Sequence, residues 1–169
     1  MEIREVDSTE SGLVAVIVKT ANIPVAEQFG LTRDNAPSHP SLCTPEWIRS
    51  GMDRGERYFV CDAAQETAGC VAYESPEPDL AYLNRLAVLP GFQHRGIGRR
   101  LVEHVIGLAR KDGKTQVSIG IIKAHNTLKN WYEALGFTVS GTKCFNHLPF
   151  DVLFMTYSLE LPDSSGAGE

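Results

Sequence analysis

The sequence predicts an α/β (α+β) fold, a mixed central sheet of about seven strands flanked by about four helices. Three observations point there. Seven short runs, such as "RYFVCDA" and "QVSIGII", are rich in β-branched or aromatic residues and are bounded by turn-forming ones. Four longer segments carry apolar residues at helical spacing. The two kinds do not alternate regularly: the order is strand, two helices, three strands, helix, strand, helix, two strands. That irregular order argues against a doubly wound dinucleotide-binding sheet.

Along the chain, Glu2–Val6 is a short first strand. Asp7, with Glu10 three residues on, opens a helix whose apolar residues continue to Phe29. "GLTRDNAPSHPSLC" mixes Gly, Pro, Asn and Ser, and reads as a loop or a broken helix. Thr44 before Pro45 starts a second helix that runs to about Gly55. "RYFVCDA" and "TAGCVAYES" are strands, and "SPEPD" turns the chain into a third, "LAYLNRLAVL". The next helix reaches about Lys111 and closes on "KDGK". "QVSIGII" is a strand, "NTLKNWYEALGF" a helix ended by Gly136, and "TVSGTKCF" and "VLFMTYSLEL" are the last two strands. The 169 residues read as one domain over residues 1–161, with the tail "PDSSGAGE" at 162–169 expected to be disordered.

Composition removes several classes of function. A formal charge of -5 argues against a dedicated nucleic-acid binder. No apolar run approaches the ~20 residues of a membrane span. The start "MEIREVDSTE" lacks the basic end and apolar core of a secretory signal, so a cytoplasmic location and no membrane partner are expected. Cys43, Cys61, Cys70 and Cys144 form no CxxC pair and share no ligand spacing with the five histidines, so no metal is expected. Cys61 and Cys70 fall in strand-like runs and read as reduced, buried thiols.

The most informative stretch is "VLPGFQHRGIGRRLVEHV", residues 88–105, where a strand gives way to a helix. Glycines stand at 91, 96 and 98, and Arg95, Arg99 and Arg100 lie among and after them. The first turn of a helix leaves backbone N–H groups without intrahelical partners. Glycine allows the tight bend, and the helix dipole adds positive potential at that end. The turn therefore suits a polyanion such as a pyrophosphate. No GK[ST] follows the glycines, so the P-loop pattern fails. Leu101 stands where a third Rossmann glycine belongs.

"QHRGIG" resembles the [QR]-x-x-G-x-[GA] signature of the GNAT superfamily of N-acetyltransferases, in its place between a strand and a helix. "LNRLAVLPGF" before it resembles the strand that leads into that family's coenzyme A loop, and "NTLKNWYEALGF" downstream resembles the helix ending in YE-x-LGF. The order of elements is similar over roughly Met1 to Leu161. The resemblance implies a GNAT-like acyl-CoA N-acyltransferase fold and acetyl-CoA as cosubstrate. It implies that backbone groups of Leu86, Ala87 and Val88 pair with the pantetheine arm where two strands splay. The amides from His94 to Arg99, through Arg95, Gly96, Ile97 and Gly98, would cradle the pyrophosphate. Gln93 opens the signature, and Arg95 and Arg99 have side chains long enough to reach phosphates.

Transfer of an acetyl group from a thioester to an amine needs a neutral amine, a stabilised carbonyl oxygen and a protonated leaving thiolate. The resemblance places Tyr132, in "NWYEALGF", as the proton donor, whereas Trp131 reads as packing. The family often has Asn seven residues before that tyrosine. Here His125 holds that position and Asn126 is one place late, so either takes that role. Asn84 stands on the strand where an acid is frequent, and an amide cannot take a proton. Glu74, His125 and His147 are substitute bases, or water serves for an amine of low pKa. His39, Trp47, Asn84, Phe145 and His147 are candidates for lining the acceptor pocket.

The function expected is acetyl transfer from acetyl-CoA directly to a primary amine of a small molecule or peptide, by a monomer or homodimer with no nucleic-acid partner. The alternative is a non-catalytic acyl-CoA-binding sensor or regulatory module.

Overall fold

A computed structural model describes residues 1–159 of the protein. Its strands are β1 (Glu2–Val6), β2 (Arg57–Ala63), β3 (Glu66–Glu74), β4 (Leu80–Val88), β5 (Gln116–Ile122), β6 (Thr138–Cys144) and β7 (Asp151–Ser158). They join in one seven-stranded sheet of order β1-β2-β3-β4-β5-β7-β6. Every neighbouring pair is antiparallel except β4 and β5, which are parallel. The helices are α1 (Ser11–Phe29), α2 (Pro45–Asp53), α3 (Ile97–Lys111) and α4 (Asn126–Ala134). The expected domain end at Leu161 and the tail at 162–169 lie outside the described residues.

Local chemistry accounts for the helix ends. Thr44 Oγ1 accepts from the Trp47 amide at 3.3 Å, and Pro45 occupies the first helical position of α2. Asp7 caps one turn of 3-10 helix, Ser8–Glu10, and α1 itself begins only at Ser11. α1 ends at Gly30, whose φ of +62° suits a residue without Cβ.

The sheet has a hydrophobic layer on each face. Along β2 the side chains alternate: Phe59 and Cys61 pack with α3, Tyr58 and Val60 with α1 and α2. α3 contributes Ile97, Leu101, Val102, Val105 and Ile106, one helical stripe, to the first layer. Leu101 is fully buried, which contributes about 1.5–3 kcal/mol. Cys43, Cys61 and Cys70 are buried thiols and Cys144 is exposed; all four are free. No helix among the described residues is long and apolar enough to cross a membrane.

One irregularity positions the site. β4 pairs with β5 only through Leu80, Ala81 and Tyr82, while β5 stays paired with β7 as far as Ile122. From Leu83 onward β4 therefore has no strand partner on that side. On its other side the pairing with β3 shifts register between Cys70 and Ala72, and Arg85 there adopts φ +51°. The splay and the bulge open the sheet where "LNRLAV" leads into the glycine turn.

Candidate active site

Two clefts meet at the splay. The first, about 290 Å3, lies between the diverging ends of β4 and β5 and is lined by Asn84, Arg85, His39, His125 and Tyr132. The second, about 350 Å3, runs from Leu86 and Val88 over the glycine turn to Trp131. Leu86, His125 and Leu128 line both, so the two form one continuous path.

At the far end of that path the backbone presents donors. A 3-10 turn, Pro90–Phe92, precedes the loop, and His94 and Gly96 both take positive φ, +64° and +81°. Among the described residues, none of the amides from His94 to Arg99 donates to a protein acceptor; the first bond of the turn is Arg100 N to Gly96 O. Such a run of free N–H groups at the start of α3 suits an anion, and the helix dipole adds to the positive potential there. The glycines divide the work. Gly96 supplies the left-handed conformation, whereas a Cβ on Gly98 would lie 3.2 Å from Trp131. Gly98 therefore allows the close packing of α3 against Trp131.

Tyr132 is 4 % exposed, with its ring edge-on to Trp131 and Phe137 at centroid distances of 4.9 and 5.2 Å. Its hydroxyl has no hydrogen-bond partner among the described residues. Burial pushes the phenol well above its ordinary pKa, so it keeps its proton at neutral pH. His125 caps α4: its Nδ1 accepts from the Leu128 amide at 3.3 Å. Since an amide can only donate, the neutral ring carries its proton on Nε2. Burial lowers the His125 pKa and favours that neutral form. His39 is buried as well, with Nδ1 held by the Ser41 amide at 3.2 Å and hydroxyl at 2.8 Å.

The structure thus brings Tyr132, His125, Asn84 and His39 into one cleft. In the second cleft it places Leu86, Val88, Gln93, His94, Gly96, Ile97, Gly98 and Arg99. Other predicted residues fall outside both. Ala87 points into the α1–α2 layer, Arg95 stacks on the Phe92 ring at 5.3 Å, and Asn126 is exposed at the start of α4. Glu74, at the end of β3, lines neither cleft; burial and the neighbouring Glu56 raise its pKa. Trp47 lies under the Arg85 guanidinium at 5.9 Å, and Phe145 and His147 meet edge to face at 5.5 Å in the loop before β7.

Two residues of the site escaped sequence reasoning. Arg85 lines the first cleft and has no ion pair among the described residues. The adjacent polar residues Asn84 and Arg85, which break the alternation of "AYLNRLAV", were the available signal for a bulge. Glu56 lies behind Asn84 and donates nothing visible to a linear pattern: it is one acid between a glycine and a strand.

Residues 54–139 match the acetyltransferase (GNAT) domain family model. The chain is 29% identical over 124 residues to the [ribosomal protein bS18]-alanine N-acetyltransferase of Salmonella typhimurium, covering 72% of this chain and 78% of that one. Its fold is similar to that of the ribosomal-protein-S18-alanine N-acetyltransferase from Escherichia coli, with a TM-score of 0.75 and 18% identity over 96% of both chains. A putative acetyltransferase from Salmonella typhimurium, solved with its cofactor acetyl-CoA, gives a TM-score of 0.70 at 20% identity, over 96% of this chain and 98% of that one. The matched residues run from β2 through the splayed strand, the glycine turn and the helix of Tyr132, and on that match the chain belongs to the GNAT acetyltransferase family.

Proposed function

We propose that this protein transfers the acetyl group of acetyl-CoA directly to a primary amine of a small molecule or peptide, with Tyr132 protonating the departing thiolate. The observation that carries the reading is the single path from the free amides of His94–Arg99, along the unpaired edge of β4, to the buried hydroxyl of Tyr132. A polyanionic end, a strand-like arm and a reacting group match those three parts in that order. The solved relative with acetyl-CoA and the relatives that act on an alanine amine support the choice of cosubstrate and acceptor.

In this reading the pyrophosphate lies on the amides at the start of α3, and the arm adds to β4 through backbone groups of Leu86–Val88. The amine enters through the first cleft, past His39 and Asn84. A C–N bond forms as the C–S bond breaks, the thiolate takes the Tyr132 proton, and the surplus proton on nitrogen goes to solvent, from which Tyr132 recovers its own. His125 acts as a cap and a donor from Nε2, because its Nδ1 is already engaged. Glu74 does not line the cleft, and in this reading the amine proton is not assigned to it.

The test is free-thiol release from acetyl-CoA with a panel of alkylamines, amino-acid amides and alanine-starting peptides. At least one acceptor should release thiol in stoichiometry with acetylated amine. Tight binding of acetyl-CoA with no acceptor active, and no effect of Tyr132→Phe on that binding, would instead support the sensor reading.

A further inference from the structure

Glu56 is the one buried carboxylate among the described residues, 6 % exposed in the short link between α2 and β2. Its place is built by several elements. Gly55 turns the chain into it at φ +105°, and a Cβ on Gly51 of α2 would collide with its Oε1. Oε1 accepts from the Tyr58 hydroxyl at 3.2 Å and from the Arg54 guanidinium at 3.4 Å. Oε2 accepts from Asn84 Nδ2 at 2.9 Å. Burying a carboxylate is costly unless such donors meet it, and an apolar side chain would fill the space more cheaply. That cost calls for a role.

The role follows from what the bond does to Asn84. An amide has one donating end and one accepting end, and only the NH2 end can face a carboxylate. Glu56 thereby fixes which way the Asn84 amide is turned, and Asn84 Oδ1 is left with no partner among the described residues. Asn84 lines the same cleft as Tyr132. The charge-assisted bond also polarises the amide and makes Oδ1 a stronger acceptor.

We infer that Glu56 is a positioning residue for the acceptor amine: by holding the Asn84 amino group it presents Asn84 Oδ1 to the cleft as the acceptor for one amine N–H. This rests on the amine-transfer reading above. A primary amine has two hydrogens, so one N–H held by Oδ1 leaves the nitrogen lone pair free for the carbonyl carbon. Asn84 takes no proton itself; it orients the nucleophile.

The test is a double-mutant cycle on the full-length protein, with wild type, Glu56→Ala, Asn84→Ala and the double variant. Thiol release is measured with n-butylamine and an alanyl peptide amide, and acetyl-CoA affinity by calorimetry. Each single variant should lower kcat/KM for amine by about tenfold, mainly through KM, with acetyl-CoA affinity within about twofold. The double variant should be no worse than Asn84→Ala, since Glu56 acts through Asn84. Glu56→Gln keeps an accepting oxygen for Asn84 and should recover most of the Glu56→Ala loss. Losses that multiply in the double variant, or an unchanged kcat/KM in Glu56→Ala, overturn the inference. Should Glu56→Ala not fold, Glu56→Met fills the Gly51 cradle without an acceptor and takes its place. Side-chain amide NMR reads the link without turnover: the Asn84 NH2 protons, assigned by their loss in Asn84→Ala, should exchange more slowly in wild type than in the Glu56 variant. Equal exchange also overturns it. If no amine releases thiol from wild type, the transfer reading fails while the NMR comparison still decides the Glu56–Asn84 link.

Discussion

Gly98, in the first turn of α3, faces Trp131 of α4 so closely that a Cβ there would lie 3.2 Å from the indole ring. This contact ties the glycine turn to the helix that carries Tyr132. A second neighbour, Val88 Cγ2 at 3.7 Å from the same point, adds the end of β4 to the junction. Glycine turn, strand edge and the helix of Tyr132 thus meet where Gly98 has no methyl group.

Gly98→Ala should therefore push Trp131 aside and weaken acetyl-CoA binding about three- to tenfold, with about 1–3 kcal/mol lost in stability from overpacking. Gly91→Ala is the control. A Cβ at Gly91 meets nothing within 4 Å and its backbone is not left-handed, so both quantities should stay near wild type. Calorimetry and thermal melts of the two variants check this, and equal behaviour would remove the Gly98–Trp131 contact from the site.

Tyr132→Phe should cut turnover by about 10²-fold or more, the usual worth of a positioned acid, while acetyl-CoA affinity changes by less than about twofold. The melting temperature should not fall, because the hydroxyl makes no hydrogen bond whose loss would cost stability. A variant that keeps its turnover on the best amine of the panel takes Tyr132 out of the chemistry.

Acid should destabilise the protein before its carboxylates titrate. Burial lowers the pKa of His39, His104 and His125 in the fold, from an ordinary value of 6.5. The stability these neutral rings contribute is complete above about 6.5 and is lost as the pH falls below it, because the unfolded chain binds those protons first. Protonation of His125 also removes the acceptor that caps α4. Glu74, whose carboxyl is raised, opposes this increasingly as the pH approaches its ordinary 4.5. Melts at pH 7.5 and 5.5 should differ, and His125→Asn, which keeps a capping acceptor, should narrow the gap.

Arg99 is paired with Glu103 at 2.9 Å, an exposed pair of the i, i+4 kind. Such pairs contribute about 0.3–0.5 kcal/mol, so Arg99→Ala should leave the melting temperature almost unchanged. If Arg99 leaves Glu103 for a phosphate on binding, the same variant should weaken acetyl-CoA about three- to tenfold, and less so in high salt. Unchanged affinity at low salt would assign the phosphates to the backbone amides alone.

Much of this protein was legible without coordinates, for physical reasons. Strand runs, the Thr44-Pro45 helix start and the Gly-rich turn are local patterns, and each appears in the fold where periodicity and capping chemistry place it. The pairing of "QHRGIG" with "NWYEALGF" identified the family from two short motifs. Roles that depend on distant neighbours were not legible. No spacing indicates that Gly98 serves Trp131, that Asn126 is exposed while His125 caps the helix, or that Arg85 bends the backbone at a bulge. Glu56 is the clearest case. It stands 28 residues from Asn84 in sequence, and only the antiparallel path of β2, β3 and β4 brings its carboxylate within 2.9 Å of that amide. The sequence by itself determined the elements, the glycine turn and the family, because those follow from backbone geometry and short-range pattern. Tertiary structure decided which buried groups face one cleft, because strand register and the β4–β5 splay set that across the whole sheet.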